Sequence, residues 1–339
     1  MAVTKALVLM SGGLDSILAA EVLLDQGIEA EAVTFVTPFF DSVNAEKAAE
    51  MLGIPVHIID ITEPHMKMLK HPKHGYGRFM NPCIDCHAMM IRKAGELMKE
   101  LGADFIATGE VLGERPKSQN RQALGIVEQE SGMEGYVLRP LSAKLLDETI
   151  PERQGLVDRS KLLDIRGRSR KPQMALAKKF GVHEYPSPAG GCILTDPMFS
   201  IRLRTLYKVE GRPTVNKVNL MKIGRVFLSS EGAIIVVSRN EEENKRLAQL
   251  AEPGDLIFEA EEYAGPLTIL LKNSYTERSV FEAAALTARY GKAKSLDEVD
   301  VTSVEFGTSE KRLIHVQHPA EAVHVNPPKD GELARVAGA

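Results

Sequence analysis

The chain has 339 residues, 44% hydrophobic and 26% charged, with a net charge of −4, which suits a globular protein long enough for two cored domains. No apolar stretch approaches the ~20 residues of a membrane span, and Met1 to Lys5 lead straight into an apolar run without a signal-peptide pattern. A cytoplasmic protein with no membrane contact is expected, and three cysteines exclude a disulfide framework.

Residues 6–10 read as a buried first strand and residues 17–24 as a helix. Between them stands Ser11-Gly12-Gly13-Leu14-Asp15-Ser16, a Gly-rich turn. Such a turn lets backbone N–H groups close on an anion, and the helix N-terminus adds favourable partial charge. The expected reason for glycine is that a Cβ would keep a phosphate from the backbone. Asp15, ill-suited to face an anion, is expected to hold Mg²⁺ or cap the helix. A second strand follows at 31–36, a helix at 43–52 and a third strand at 55–60. A helix at 88–101 stops at Gly102, a fourth strand covers 103–108, and a fifth covers 135–139. This alternation predicts an α/β fold, a doubly wound, mostly parallel sheet, with its ligand at the carboxyl ends of the strands.

Pro172 opens a further helix through Phe180, and a Pro/Gly-rich loop spans 186–192. From about residue 201 the pattern changes to a hairpin (222–228 and 233–237), a helix (241–250) and strands at 256–259 and 267–271. The predicted domains are 1–200, a smaller α+β domain over 201–318, and a Pro-, Gly- and charge-rich tail at 319–339 that frays. Residues 159–225 carry a local charge of +11, leaving −15 for the rest. A basic middle in an acidic chain suits an RNA backbone or another polyanion.

Cys83 and Cys86 form a Cys-x-x-Cys just before the helix at 88–101, and Cys192 stands alone in a Gly-Gly-Cys loop; none sits at a core-like position. Three thiolates can hold zinc with His87 as fourth ligand, or three irons of a [4Fe–4S] cluster with the fourth iron open. They can also do redox chemistry, one cysteine carrying a persulfide and another resolving it. Spacing leaves all three open. His65, His71 and His74 fit no metal spacing and read as surface residues. Phe35, ending the second strand, is either core or an adenine contact. Gly109 is either a plain strand-ending turn or a close approach to nucleotide. The polar insertion at 113–122 is rich in hydrogen-bond donors. Arg166, Arg168, Arg170 and Lys171 crowd into one short segment, and their side chains are the expected RNA-backbone contact.

The run at 11–16 resembles the pyrophosphate (PP) loop of the ATP pyrophosphatase superfamily, of adenine nucleotide alpha hydrolase-like fold. That resemblance implies ATP and Mg²⁺ at Ser11, Gly12, Gly13, Asp15 and Ser16, adenylation of an oxygen, and release of pyrophosphate. Asn81-Pro82-Cys83-x-x-Cys86, then 101–109 and the later Cys192, are similar to bacterial tRNA 2-thiouridine synthetases, and 4-thiouridine synthetases share the PP-loop. In cluster-dependent members three such cysteines hold a [4Fe–4S] cluster. The family commonly has His where this chain has Glu110. Residues 223–225, 237–244, 254–255 and 265–266 resemble the RNA-binding domain of the NFACT family, with Ser238 in place of the usual glycine.

The resemblances imply an ATP-dependent tRNA sulfurtransferase. Asp15, Cys83 and Cys192 would be catalytic, Phe35 and Gly109 would join the loop around ATP, and Cys83, Cys86 and Cys192 would bind the cluster. Its partners would be tRNA and a sulfur donor, either sulfide or a persulfide carrier, with a homodimer allowed. The alternatives are a PP-loop amide- or nitrile-forming enzyme with structural Zn²⁺, and a non-catalytic RNA-binding protein.

Overall fold

A computed structural model of the protein describes residues 3–186, 192–272 and 275–319. The chain divides into two compact units, Met1–Thr195 and Asp196–Ala339. In the first, β1 (Lys5–Leu9), β2 (Glu29–Val36), β3 (Val56–Asp60), β4 (Phe105–Thr108) and β5 (Val137–Leu138) form one parallel sheet in the order β3-β2-β1-β4-β5. The expected α/β fold is therefore present, and the order reverses between β1 and β4, where such sheets open a crevice for ligands.

Side chains alternate across each strand. Ala6 and Val8 of β1 join the core under α1 (Leu14–Leu24), α2 (Val43–Leu52) and α7 (Lys171–Phe180). Leu7 points to the other face, with Ile91 and Met98 of α4 (Cys83–Leu101) and Val127 of α5 (Arg121–Ser131). Small residues (Ala30, Ala32, Ala45, Ala48, Ala49) bring α1 and α2 close to the sheet. Helices α3 (Thr62–Lys70) and α6 (Ile150–Arg153) complete the unit. Two helices start earlier than their apolar periodicity suggests: α1 at Leu14 and α4 at Cys83, so Cys83 and Cys86 lie in the first turn of α4 and not before it.

The second unit opens with α8 (Pro197–Glu210) and α9 (Val215–Leu220). Strands β6 (Arg225–Leu228), β7 (Ile234–Val237), β8 (Leu256–Ala260), β9 (Thr268–Leu270), β10 (Glu298–Glu305) and β11 (Lys311–Gln317) form an antiparallel sheet ordered β11-β10-β8-β9-β7-β6. Helix α10 (Glu241–Leu250) follows β7, and α11 (Glu277–Tyr290) packs across β7 to β11. Its alanines 283, 284, 285 and 288 let its backbone sit close to Phe258, Val237 and Val301. The hairpin at 222–228 and 233–237 appears as β6 and β7; α11, β10 and β11 had no counterpart in the sequence reading. Of the expected tail only Pro319 is described, and of the loop at 186–192, residues 187–191 lie outside the described residues. Among the described residues no helix is long and apolar enough to cross a membrane.

One ion pair is buried in the second unit. Lys217 Nζ lies 2.8 Å from Glu210 and 4.0 Å from Asp255, all three side chains being almost fully enclosed. Removing the cation leaves two buried carboxylates uncompensated, which costs about 3–5 kcal/mol. Lys217→Met is therefore expected to lower the unfolding free energy measured by urea titration by that much; a loss below about 1 kcal/mol would show the pair to be solvated.

Candidate active site

The PP-loop leaves β1 at Met10 and enters α1 at Leu14. Ser16 closes it, its amide and its hydroxyl both donating to the Gly13 carbonyl at 3.1 and 2.8 Å, while Ser11 Oγ lies 3.5 Å from Ser16 Oγ. Gly12 adopts φ +73°, and a Cβ there would lie 2.2 Å from the Asn44 carbonyl at the start of α2. Its glycine is thus required by packing against α2 and by its left-handed backbone. At Gly13 a Cβ would meet only Ser11 Oγ, at 3.4 Å, so this is the open side of the loop.

Gly109, one residue beyond β4, presses on the same loop: a Cβ there would lie 2.5 Å from the Ser16 amide and 2.6 Å from the Asp15 carbonyl carbon. Asp15 Oδ1 is buried with no well-formed hydrogen bond, the Gln173 amide being the polar side chain beside the carboxylate. Burial pushes the Asp15 carboxyl up, while the charges of Arg170 and Arg115 pull it down. An orphaned acceptor at the mouth of an anion-binding loop is the chemistry a hard cation uses, so the residues present fit Mg²⁺ beside a triphosphate. Phe35 is 5% exposed and packs with Leu7, Ile61 and Ile91, which is a core position.

Glu110 follows Gly109 into a buried charge network. Its Oε1 accepts from His87 Nδ1 at 2.8 Å, and its Oε2 accepts from Arg139 Nε at 3.1 Å and Thr108 Oγ1 at 3.1 Å. Arg139 also donates to Glu128 on α5. Burial alone would raise the Glu110 pKa; the Arg139 charge and His87 overcome it and hold the carboxyl at about 2. His87, offered by the sequence as a zinc ligand, thus has its Nδ1 committed to Glu110.

The cysteines are electrostatic neighbours. Cys86 is buried, contrary to the expectation that no cysteine has a core-like position, because the first turn of α4 turns it inward. Its thiol pKa is pushed far up by burial, then by Cys192 and Cys83. Cys83 Sγ donates to Asn81 Oδ1 at 3.0 Å; burial raises its pKa against the pull of Arg115. Cys192 Sγ lies 4.0 Å from the Phe39 carbonyl. Chemically this set suits three irons of a cluster. In geometry it falls short: among the described residues no three His, Cys, Asp or Glu side chains converge enough to hold a metal ion.

His65 is the residue the sequence misread. It is fully buried, not on the surface, with Nε2 3.4 Å from Cys86 Sγ, its ring 5.3 Å from that of Phe39 and edge-on to Phe40. Burial drops its pKa to about 4, so it is neutral at pH 7. Arg115 was also unmarked; it lies in the polar insertion, and its charge acts on both Asp15 and Cys83. Of the expected RNA contacts, Arg166, Arg168 and Lys171 are exposed, while Arg170 is half-buried and its charge reaches Asp15 and Glu114.

Two outcomes test this site. Glu110 is ionised more readily in the folded than in the unfolded chain, so its stabilisation is complete above its ordinary pKa of 4.5 and is lost as pH falls towards about 2. Glu110→Gln should cost about 3–5 kcal/mol at neutral pH and flatten that acid-limb loss in urea titrations; an unchanged limb would remove Glu110 as its source. Gly109→Ala should displace the Asp15–Ser16 peptide and weaken ATP binding in calorimetry roughly tenfold or more with the sheet intact; unaltered affinity would show that the loop tolerates the shift.

Residues 4–179 match the family described as tRNA methyl transferase HUP domain, and residues 224–325 match the NFACT protein RNA binding domain. The chain is similar to the tRNA-specific 2-thiouridylase MnmA of Sulfurimonas denitrificans, 35% identical over 120 residues, 32% of this chain and 35% of that one. The MnmA 2 of a Thermoanaerobacter species is 30% identical over 227 residues, 60% and 59% of the two chains. The enzyme of Methylobacterium nodulans is 25% identical over 354 residues, 90% and 88% of the two. The chain spans about a third of the length of the first of these relatives. With its PP-loop sheet covering half its length, it belongs to the tRNA methyl transferase HUP domain family, joined to an NFACT-type RNA-binding domain.

Proposed function

We infer that the protein is an ATP-dependent tRNA sulfurtransferase, which adenylates a nucleobase carbonyl oxygen and exchanges it for sulfur. One observation carries this reading: Gly109 presses on the Asp15–Ser16 peptide while Glu110, the next residue, holds His87 at 2.8 Å, next to Cys86 in the chain, so the nucleotide loop and the thiols of α4 share one neighbourhood, across which the Arg115 charge acts on both Asp15 and Cys83. The thiouridylase relatives support it, because an ATP loop beside thiols is what thiolation needs and methyl transfer does not.

The carbonyl oxygen attacks the α-phosphorus of ATP, the bond to the β-phosphate oxygen breaks, and pyrophosphate leaves. Mg²⁺ on Asp15 would neutralise that leaving group. Arg115 and Arg170, whose charges reach the loop, stabilise the phosphates. Sulfur then attacks the ring carbon and AMP departs with the oxygen, since an oxygen held as phosphate ester leaves where a carbonyl oxygen does not. The buried Cys86, its pKa raised, stays a thiol at neutral pH; Cys83 and Cys192, both partly exposed, are the cysteines that meet substrate. When sulfur arrives as a persulfide on one of these, the second thiol releases it by forming a disulfide. A [4Fe–4S] cluster on Cys83, Cys86 and Cys192 is in line with the three-thiol set and would present sulfur on its open iron; among the described residues these sulfurs do not converge on a metal position.

The test is tRNA thiolation, followed by mass spectrometry of nucleosides, together with iron, sulfide and zinc analysis of protein purified without oxygen. Cys192→Ala should abolish the thionucleoside and leave ATP binding unchanged. Roughly four irons and four sulfides per chain, lost in each cysteine variant, would establish the cluster form. Thiolation by iron-free protein would establish the persulfide form. Thiolation retained in Cys192→Ala overturns the assignment of the cysteines, and one zinc with no thiolation overturns the reading itself.

A further inference from the structure

The second unit holds a pocket of about 710 Å³ between the start of α10, the β8–β9 loop and the end of α11. That is ample for one nucleotide. Two tyrosines line it, Tyr263 and Tyr290, each 40% exposed. Arg225 and Phe227, two apart on β6 and therefore on one face of the strand, both approach the Tyr290 ring, at 4.6 Å and 5.8 Å from its centroid. They fix the ring in place at the pocket wall, where Tyr290 stays partly exposed.

The polar lining decides what this pocket accepts. Arg239 and Lys292 bring two positive charges, Glu241 and Glu259 two negative ones. Arg239 and Glu241 are both engaged: Arg239 donates to the Gly224 carbonyl at 2.7 Å and lies 3.9 Å from Glu243, and Glu241 lies 3.0 Å from Lys245 Nζ, which leaves Lys292 against Glu259. A pocket of balanced charge is no groove for a phosphodiester backbone, which needs uncompensated cations. Exposed tyrosine rings, with a carboxylate placed to accept from an exocyclic amine, suit a neutral, flat, hydrogen-bonding ring. Lys292, exposed at the rim, is placed for the one flanking phosphate.

We propose that this pocket takes the base of a single unpaired nucleotide, stacked against Tyr263 and Tyr290. The inference rests on the RNA-binding reading of the domain and adds the class of ligand and the residues that hold it. The base is recognised by stacking and edge contacts, the backbone only at its rim, so single strands and loops bind there and continuous duplex does not.

The full-length protein is titrated, by fluorescence anisotropy, with a labelled single-stranded RNA hexamer, its abasic counterpart, a blunt RNA duplex and whole tRNA. Tyr263→Ala should weaken hexamer binding about tenfold or more, as loss of one stacking contact does. Tyr263→Phe should restore it, and duplex binding should be unchanged. The abasic strand should bind weakly and equally to native protein and variant. Lys292→Gln should reduce the salt dependence of hexamer binding by about one ion. Equal hexamer affinity in Tyr263→Ala, or equal affinity for hexamer and abasic strand, overturns the pocket. If tRNA still binds in that case, the RNA-binding reading stands without it. If neither hexamer nor tRNA binds, both fall.

Discussion

The contact on which the first unit depends is a missing methyl group. Strands β1 and β4 pair with Leu9 opposite Thr108, so the PP-loop and Gly109 leave the sheet side by side. There is no room for a Cβ between Gly109 and the Asp15–Ser16 peptide. That closeness turns a topological switch point into a site, because whatever follows β4 is delivered to the edge of the nucleotide loop. Glu110 comes next, and five residues after it Arg115, whose charge reaches Asp15 and Cys83.

Glu110 shows what a change at such a position demands. A carboxylate 6% exposed needs a cation, and Arg139 supplies it from just beyond β5, itself held on the far side by Glu128. A buried network of this kind is weak evidence for net stability, since desolvation offsets much of the attraction. Its directional effect is firmer. Both oxygens of Glu110 are used, so β4, the end of β5 and the first turn of α4 are tied at fixed angles. That turn carries Cys83 and Cys86, and His87 is its link to the network. The thiols are therefore positioned from the end of β4, the element that also braces the ATP loop.

Local pattern revealed the parallel sheet because each strand has a short apolar stretch, even where β2 and β3 carry Glu31, His57 and Asp60, and the helices end in a glycine or a polar break. It revealed the PP-loop because the loop is contiguous. It could not reveal His65. In the sequence that histidine sits among Glu63, Lys67 and Lys70, and it is buried only because Phe39 and Phe40 come over it while Cys86 is turned inward from a distant helix. Arg115 looked like one more donor in a polar loop for the same reason. Helix α11 segregates its apolar and polar residues as clearly as α10 does, so its signal is present in the sequence. Strand β10 carries the period-two alternation of a half-buried strand in Glu298-Val299-Asp300-Val301, whereas β11 opens on Lys311 and Arg312 and sets Leu313 beside Ile314, which blurs that period.

The second unit separates a motif from a site. The residues that make 237–244 recognisable are spent on framework: Ser238 Oγ and Asn244 Oδ1 both accept from the Leu267 amide, at 3.1 and 2.9 Å, and Asn240 caps α10 through the Glu243 amide at 2.9 Å. Asn244 also reaches the Gly265 carbonyl at 3.3 Å, so the motif clamps the loop after β8 to the start of α10. Ser238 and Asn244 are largely spent on these bonds, while Arg239, Asn240 and Glu241 of the same segment also line the pocket. The surface they shape is finished by side chains outside the motif, Tyr263 on the clamped loop and Tyr290 at the end of α11. Ring orientation there depends on the frame being rigid, because stacking falls off steeply as two planes tilt or slide. The sequence signature in this domain thus marks the scaffold together with one charged wall of the pocket, Arg239 and Glu241, while the aromatic surface comes from Tyr263 and Tyr290, whose spacing along the chain carries no pattern.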